Sequence, residues 1–346
     1  MNVVSFVLPA PAYFNLDAGG SVTTLDWAIG VAGEIFADQK MMGMFSLLFG
    51  AGIALFADRT AAKGGRPVML SLRRNLILLG IGFLHFLLWP GDILAIYAGC
   101  APFVVQLRNR SPRTLITIGV SVFALATATG LAVATTISPD GAELADLWLL
   151  TDDSTLSDPV GLWFLVDFGG RAFGMMLIGV GLFRLGVLDG TRDPAADRRM
   201  AMIGLGVGLP VAALAVGLVA ANDFAPRWFL PTHALNTAAT IPVSLGYVGV
   251  ISLWNRRGDG RLHQRIRAVG RMALTNYLTQ TLLGVFVLGN LVEAEELTRT
   301  GALAFVLLVW ALQLAWSKPW LDRFRFGPFE WAWRVLTYGR LQPIRR

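Results

Sequence analysis

His85 and Asp92 stand seven residues apart, on either side of Trp89-Pro90-Gly91. That spacing lets a carboxylate fold back across a tight turn onto an imidazole. An imidazole titrating near neutrality can take a proton from an acceptor hydroxyl or amine. With the carboxylate on its other nitrogen, the pair would form a catalytic base and its orienter. A structural reading of the same two residues is also open, in which Asp92 caps the next helix and His85 hydrogen-bonds a neighbouring one.

Four further groups carry polar chemistry. Asp167 and Arg171 lie four residues apart inside a long apolar run, among Gly169, Gly170 and Gly174. Such a pair neutralises itself on one helix face, and the glycines permit close packing, which favours a structural ion pair. In the functional reading, Arg171 binds a substrate phosphate or carboxylate, or a developing oxyanion. His233 opens another apolar run, where it would approach His85 as a substrate-binding residue or sit at headgroup level with no role. Asn276 and Gln280 share a helix face beside Tyr277, as a polar substrate path or as glue between helices. Arg73 and Arg74 can take the phosphates of a cytoplasmic donor or serve only as orientation signals. His263, in a basic loop, reads as solvated, and Cys100, the single cysteine, as a buried structural thiol. No metal-ligand spacing, P-loop, dinucleotide fingerprint or Ser-His-Asp signature appears.

The elements that must position these residues are membrane spans. Of the 346 residues 55% are hydrophobic and 15% charged, with a mean hydropathy of +0.58, which is too apolar for an ordinary soluble domain. Apolar runs long enough to be spans lie at about 40 to 57, 75 to 89, 93 to 107, 114 to 136, 159 to 183, 200 to 221, 232 to 254, 272 to 291 and 301 to 316. The fold expected is therefore all-α: a polytopic transmembrane helical bundle of about nine full spans plus a truncated N-terminal half-helix. Pro90, Gly91 and Asp92 join two of the spans into a tight hairpin, with His85 in the outer part of the bilayer, where a titratable side chain is costly.

Loop charge gives the orientation. Loops 58 to 74, 107 to 113, 184 to 200 and 255 to 271 hold 18 Lys or Arg against 5 acids. The intervening segments 13 to 39, 90 to 92, 137 to 158, 222 to 231 and 292 to 300 hold 15 acids and 2 bases. By the positive-inside rule the basic set faces the cytoplasm, and the tail 317 to 346, with seven bases and two acids, joins it. The net charge of +6 then reflects orientation and anionic lipid headgroups rather than a nucleic-acid surface.

The whole chain reads as one membrane domain. Residues 1 to 39 are a truncated first helix and an outer loop, 40 to 316 the bundle, and 317 to 346 a basic amphipathic tail. Residues 1 to 12 lack a basic n-region and fit the outer half of a helix whose beginning is absent, or an interfacial segment. In the tail, Trp331 and Trp333 suit headgroup depth, and Glu330 and Arg334 are spaced for an i, i+4 pair.

Several segments in order resemble one family. Lys40-Met-Met-Gly-Met-Phe-Ser-Leu-Leu-Phe-Gly-Ala-Gly, Leu79-Gly-Ile-Gly-Phe-Leu-His85, Trp89-Pro-Gly-Asp-Ile-Leu-Ala-Ile-Tyr-Ala98, Gly270-Arg-Met-Ala-Leu-Thr-Asn-Tyr-Leu-Thr-Gln280 and Gly327-Pro-Phe-Glu-Trp-Ala-Trp-Arg334 are similar to the YeiB-like membrane proteins, whose C-terminal half is the domain of unknown function 418. Leu8-Pro-Ala-Pro-Ala-Tyr-Phe-Asn15 fits that family's first outer loop. An Arg-Gly motif that begins the family's first helix is missing, which accords with a truncated start.

The resemblance implies a relation to transmembrane acyltransferases; on that reading the residues weighed above would place His85 and Asp92 as catalytic, Arg171, His233, Asn276, Tyr277 and Gln280 toward the substrate, and Arg73 and Arg74 toward the donor. The donor would be an acyl-CoA-type molecule arriving from the cytoplasm, and the acceptor an envelope or sugar-like molecule at the outer face. No tightly bound cofactor and no nucleic acid is expected. Partners would be membrane lipids and the two small substrates, with the oligomeric state open, in a multi-pass protein of the cell membrane. A transporter of a small polar or anionic solute is the alternative, although no internal repeat supports it, and a non-catalytic membrane protein is the third reading.

Overall fold

The computed structural model describes residues 2–144, 147–149, 158–291 and 297–346. In chain order the helices are α1 (Val4–Val7), α2 (Thr24–Phe36), α3 (Lys40–Ala61), α4 (Pro67–Leu88), α5 (Leu94–Leu107), α6 (Pro112–Ala134), α7 (Asp158–Arg184), α8 (Pro194–Ala220), α9 (Phe229–Ala238), α10 (Thr240–Asn255), α11 (Arg261–Arg271), α12 (Ala273–Leu283), α13 (Gly289–Leu291), α14 (Arg299–Arg323) and α15 (Pro328–Tyr338). No sheet forms among the described residues. Seven helical segments are long and apolar enough to cross a membrane: Thr24–Ala61, Pro67–Leu88, Pro112–Ala134, Pro159–Arg184, Pro194–Ala220, Pro226–Asn255 and Arg299–Arg323. Two shorter apolar helices, Leu94–Leu107 and Ala273–Leu288, overlap the other two segments expected as spans. Leu76, Leu84, Leu87, Leu125, Leu165 and Leu308 point outward, more than half exposed, as lipid-facing side chains do. The chain is a polytopic α-helical membrane protein.

Helix boundaries follow from local chemistry. The α6 N-terminus is capped by Ser111 and begins with Pro112, and α8 starts in the same way at Asp193 and Pro194. Between α4 and α5, Gly91 sits under the Trp89 indole so tightly that a Cβ there would fall 2.1 Å from Trp89 Cζ2. Only glycine fits this turn, and the turn sets the distance between His85 and Asp92.

Close backbone contacts lock the centre. A Cβ at Gly50 of α3 would meet Met176 O of α7 at 2.1 Å, and one at Gly179 of α7 would meet Leu47 O at 1.9 Å. Helices that approach this closely gain dispersion contacts that lipid cannot replace. Around this crossing lie Leu47, Met175, Met176, Leu177 and Val180, all fully buried.

Three expectations require correction. Within the segment read as an outer loop, residues 24 to 36 form α2, because Thr23 and Asp26 make a capping box at its start: Asp26 N donates to Thr23 Oγ1, and Thr23 N donates to Asp26 Oδ2. Over residues 1 to 12, only Val4–Val7 forms an α-helical turn before a 3-10 turn at Ala10–Tyr13. Lys40, the first residue of α3, is fully buried. His263 stacks on Trp254, ring centroids 3.8 Å apart, rather than standing free in water.

The tail also folds back. Glu330 does not pair with Arg334. Its carboxylate accepts from Thr275 N at 3.0 Å and from Thr275 Oγ1 at 2.5 Å, thereby capping α12, while Arg334 stacks on Phe326. Cys100 is half-buried beside Gly169 O.

Candidate functional site

The first polar cluster assembles at the α4–α5 turn. His85 Nδ1 lies 2.8 Å from Asp92 Oδ1, with both side chains almost wholly buried. The other oxygen, Asp92 Oδ2, accepts the Ala95 amide at 2.9 Å in the first turn of α5. Orienting and capping are therefore not alternatives here, since Asp92 does both, one with each oxygen. Tyr277 of α12 completes the group by donating its hydroxyl to Asp92 Oδ1 at 3.2 Å and packing its ring 5.0 Å from that of His85. A carboxylate facing Nδ1 fixes the imidazole as the Nδ1–H tautomer, which leaves Nε2 with a free lone pair. Nε2 is buried and has no hydrogen-bond partner. Trp89 packs edge-on to the imidazole, and its indole N–H donates to Ser5 Oγ at 3.1 Å, so the N-terminal segment lies over this turn.

The second cluster gathers around Arg171. Its guanidinium pairs with Asp167 and donates to Gln39 Oε1, while Gln39 Nε2 donates to Asp38 Oδ2 at 2.7 Å. Gln39 adopts φ 58°, in the left-handed region, at the break between α2 and α3. The two side-chain bonds hold a backbone conformation that a non-glycine residue rarely takes. Lys40 donates to Glu34 O at 2.8 Å and to Asn236 Oδ1. His233 Nε2 lies 3.6 Å from Asp167 Oδ2, and its ring packs against Phe14, Trp163 and Phe229. His233 thus joins Arg171 rather than His85. A cavity of about 40 Å³ opens beside this cluster, with Glu34, Asp38, His233 and Asn236 in its wall.

Tyr97 of α5 is buried. Ser46 Oγ donates to its hydroxyl at 2.8 Å, and that hydroxyl donates to Met42 O at 3.2 Å, which ties the start of α5 to the start of α3.

The remaining expected site residues serve other contacts. Asn276 donates to Val269 O and Ser317 Oγ and accepts from Trp316 Nε1, so its amide is saturated between helices. Gln280 Nε2 donates to Gln313 Oε1 at 3.0 Å, again joining α12 to α14. Arg74 lies between the Phe56 and Trp333 rings at 4.6 and 4.3 Å, and Trp333 Nε1 donates to Arg74 O at 2.8 Å, pinning α15 to α4. Arg73 is exposed, against the Gly339 backbone.

Sequence reasoning missed Glu34, Asp38, Gln39 and Asn236. The first three lay in a segment counted as loop. The Thr23-to-Asp26 capping box was the signal that would have placed them at the end of a helix.

Comparison with known proteins gives the family. The family described as "Protein of unknown function (DUF418)" matches residues 182–340, a span that contains His233 and Tyr277 and begins after His85, Asp92 and Arg171. The chain is 31% identical over 369 aligned residues to "Uncharacterized protein YeiB" of Escherichia coli (strain K12), covering 99% of this chain and 93% of that one. It is also 29% identical to "Uncharacterized 39.9 kDa protein in amylase 3'region" of Bacillus acidopullulyticus (89% and 83% covered) and 26% identical to "Uncharacterized protein YxaH" of Bacillus subtilis (strain 168) (90% and 83% covered). No solved structure matches. With near-complete coverage in both directions and the DUF418 match in its second half, the chain belongs to the YeiB-like family of DUF418 membrane proteins.

Proposed function

We propose that the protein is a membrane acyltransferase, moving an acyl group from a cytoplasmic acyl-CoA-type donor to an envelope or sugar-like acceptor at the outer face. One observation carries this reading: a buried imidazole, oriented through Nδ1 by Asp92 and with Nε2 unpartnered, is the arrangement of a general base. In the reaction, Nε2 takes the proton of the acceptor hydroxyl as its oxygen forms a bond to the thioester carbonyl carbon. The carbon–sulfur bond breaks, and the leaving thiolate receives the proton from His85. Asp92 stabilises the transient imidazolium, as an orienting carboxylate does in acyl-transfer triads. Tyr277, hydrogen-bonded to the same carboxylate oxygen, is a positioning residue that keeps Asp92 aimed at Nδ1.

At the basic end, Arg73 is exposed and free to meet donor phosphates. Arg74 acts there by holding α15 in place. The loop charges support an orientation with the C-terminus in the cytoplasm.

The test supplies purified protein in lipid with labelled acetyl-CoA and a set of envelope acceptors. His85→Ala should cut transfer by roughly 10²- to 10⁴-fold while the protein stays folded. Unchanged transfer in that variant would remove His85 from the mechanism, and solute flux through proteoliposomes without transfer would favour a transporter.

A further inference from the structure

α11 belongs to neither polar cluster and is not a span. Its 11 residues join the end of the Pro226–Asn255 span to the start of α12, within a segment read from sequence as a basic loop. Contacts with α10 and α14 fix its position. His263 stacks on Trp254 in the last turn of α10, ring centroids 3.8 Å apart. Arg265 Nη1 donates to Leu314 O at 3.2 Å, and Ala268 is buried with Met272 and Leu321. Leu314 lies four residues before Lys318, the first charge met toward the C-terminus of α14. α11 is therefore held at the level where α14 turns from apolar to charged.

The rest of its surface is divided. Leu262 and Ile266, one turn apart, are 56% and 42% exposed, and Gln264 projects from the opposite side, as helical spacing requires. Arg261 and Arg265, also one turn apart and exposed, border that apolar edge, and Arg257 precedes them. Residues 255 to 271 hold six arginines and one acid. Arg267 pairs with that acid, Asp259, and Arg256 pairs with Asp197 of α8; on α14, Lys318 and Asp322 pair with each other. Among the described residues, Arg257, Arg261, Arg265 and Arg271 form no ion pair with a carboxylate.

We propose that α11 is an anchor for anionic phospholipid: Leu262 and Ile266 enter the edge of the acyl-chain layer while Arg257, Arg261 and Arg265 meet lipid phosphates. A helix with an apolar edge and a basic flank binds in this way, through buried apolar area and attraction to anionic headgroups. A zwitterionic headgroup carries its own ammonium, which offsets the phosphate and leaves little net attraction. A water-soluble anion offers no acyl chain to the apolar edge. The anchor stands whether or not the protein transfers acyl groups.

Full-length protein in neutral detergent is titrated with fluorescent phosphatidylglycerol and, separately, with fluorescent phosphatidylcholine. Phosphatidylglycerol should bind roughly tenfold tighter, and an equal concentration of inorganic phosphate should not displace it. Arg257→Gln combined with Arg261→Gln should abolish that preference. The charge-matched pair Arg110→Gln and Arg113→Gln, in loop 107 to 113, should leave it unchanged. Equal affinity of the wild type for the two lipids would overturn the proposal. Equal losses from the two arginine pairs would overturn it too, since net charge rather than α11 would then draw the lipid. A second measurement leaves the charges in place, with spin labels at Leu262→Cys and Gln264→Cys in a Cys100→Ala background in phosphatidylglycerol bilayers. The label at 262 should be reached by oxygen dissolved among the acyl chains and shielded from a water-soluble nickel chelate, and the label at 264 the reverse. Equal chelate access at both positions would overturn the proposal even if the arginine variants fail to fold.

Discussion

Asp92 divides its two oxygens between an imidazole and a helix start, so one substitution separates the two jobs. In Asp92→Asn the side-chain carbonyl can still accept the Ala95 amide. The amide nitrogen then faces Nδ1, which favours the wrong tautomer and leaves an imidazolium uncompensated. The expected outcome is a fall in kcat of roughly 10²- to 10⁴-fold with little change in melting temperature. A large fall in stability with normal activity per folded molecule would assign Asp92 to capping alone. Burial sharpens this contrast, since His85 and Asp92 are 5% and 7% exposed and water cannot substitute for a lost partner.

At the scale of elements, helix contacts rather than propensities hold these side chains in place. Gly179→Ala would put a Cβ 1.9 Å from Leu47 O and force α3 away from α7, at about 1–3 kcal/mol. Gly217→Ala in α8 meets no atom within 4 Å and should be neutral or slightly stabilising, because alanine favours a helix. Thermal unfolding in detergent checks the pair; equal melting temperatures would mean the α3–α7 crossing is looser than its geometry. The spans were legible because each is a long apolar run, and the Trp89-to-Asp92 hairpin because proline and glycine punctuate it. His85 with Asp92 was legible for the same reason, with only seven residues separating them. Tyr277, 185 residues from Asp92, was visible as a polar residue in a span but not as their partner, since no local rule carries a contact that far. Thr275 with Glu330 is a similar case: the tail's aromatic and charged spacing read as an interfacial anchor, and tertiary packing turned it into a cap for α12.

Across the whole molecule, segments that hold 15 acids and 2 bases alternate along the chain with loops that hold 18 bases and 5 acids. Asp92 falls in an acidic segment and Arg73 in a basic loop. Net charge does not distinguish an enzyme from a transporter, but this alternation bears on the proposed transfer of an acyl group across the membrane. The most direct test of transfer across the bilayer uses vesicles with protein in one orientation, labelled acetyl-CoA on the side of the basic loops and acceptor on the other. The expected result is labelled acceptor on the acidic side from wild-type vesicles and none above background from His85→Ala. Equal labelling by the variant, or no labelling by the wild type while solute passes, would contradict it.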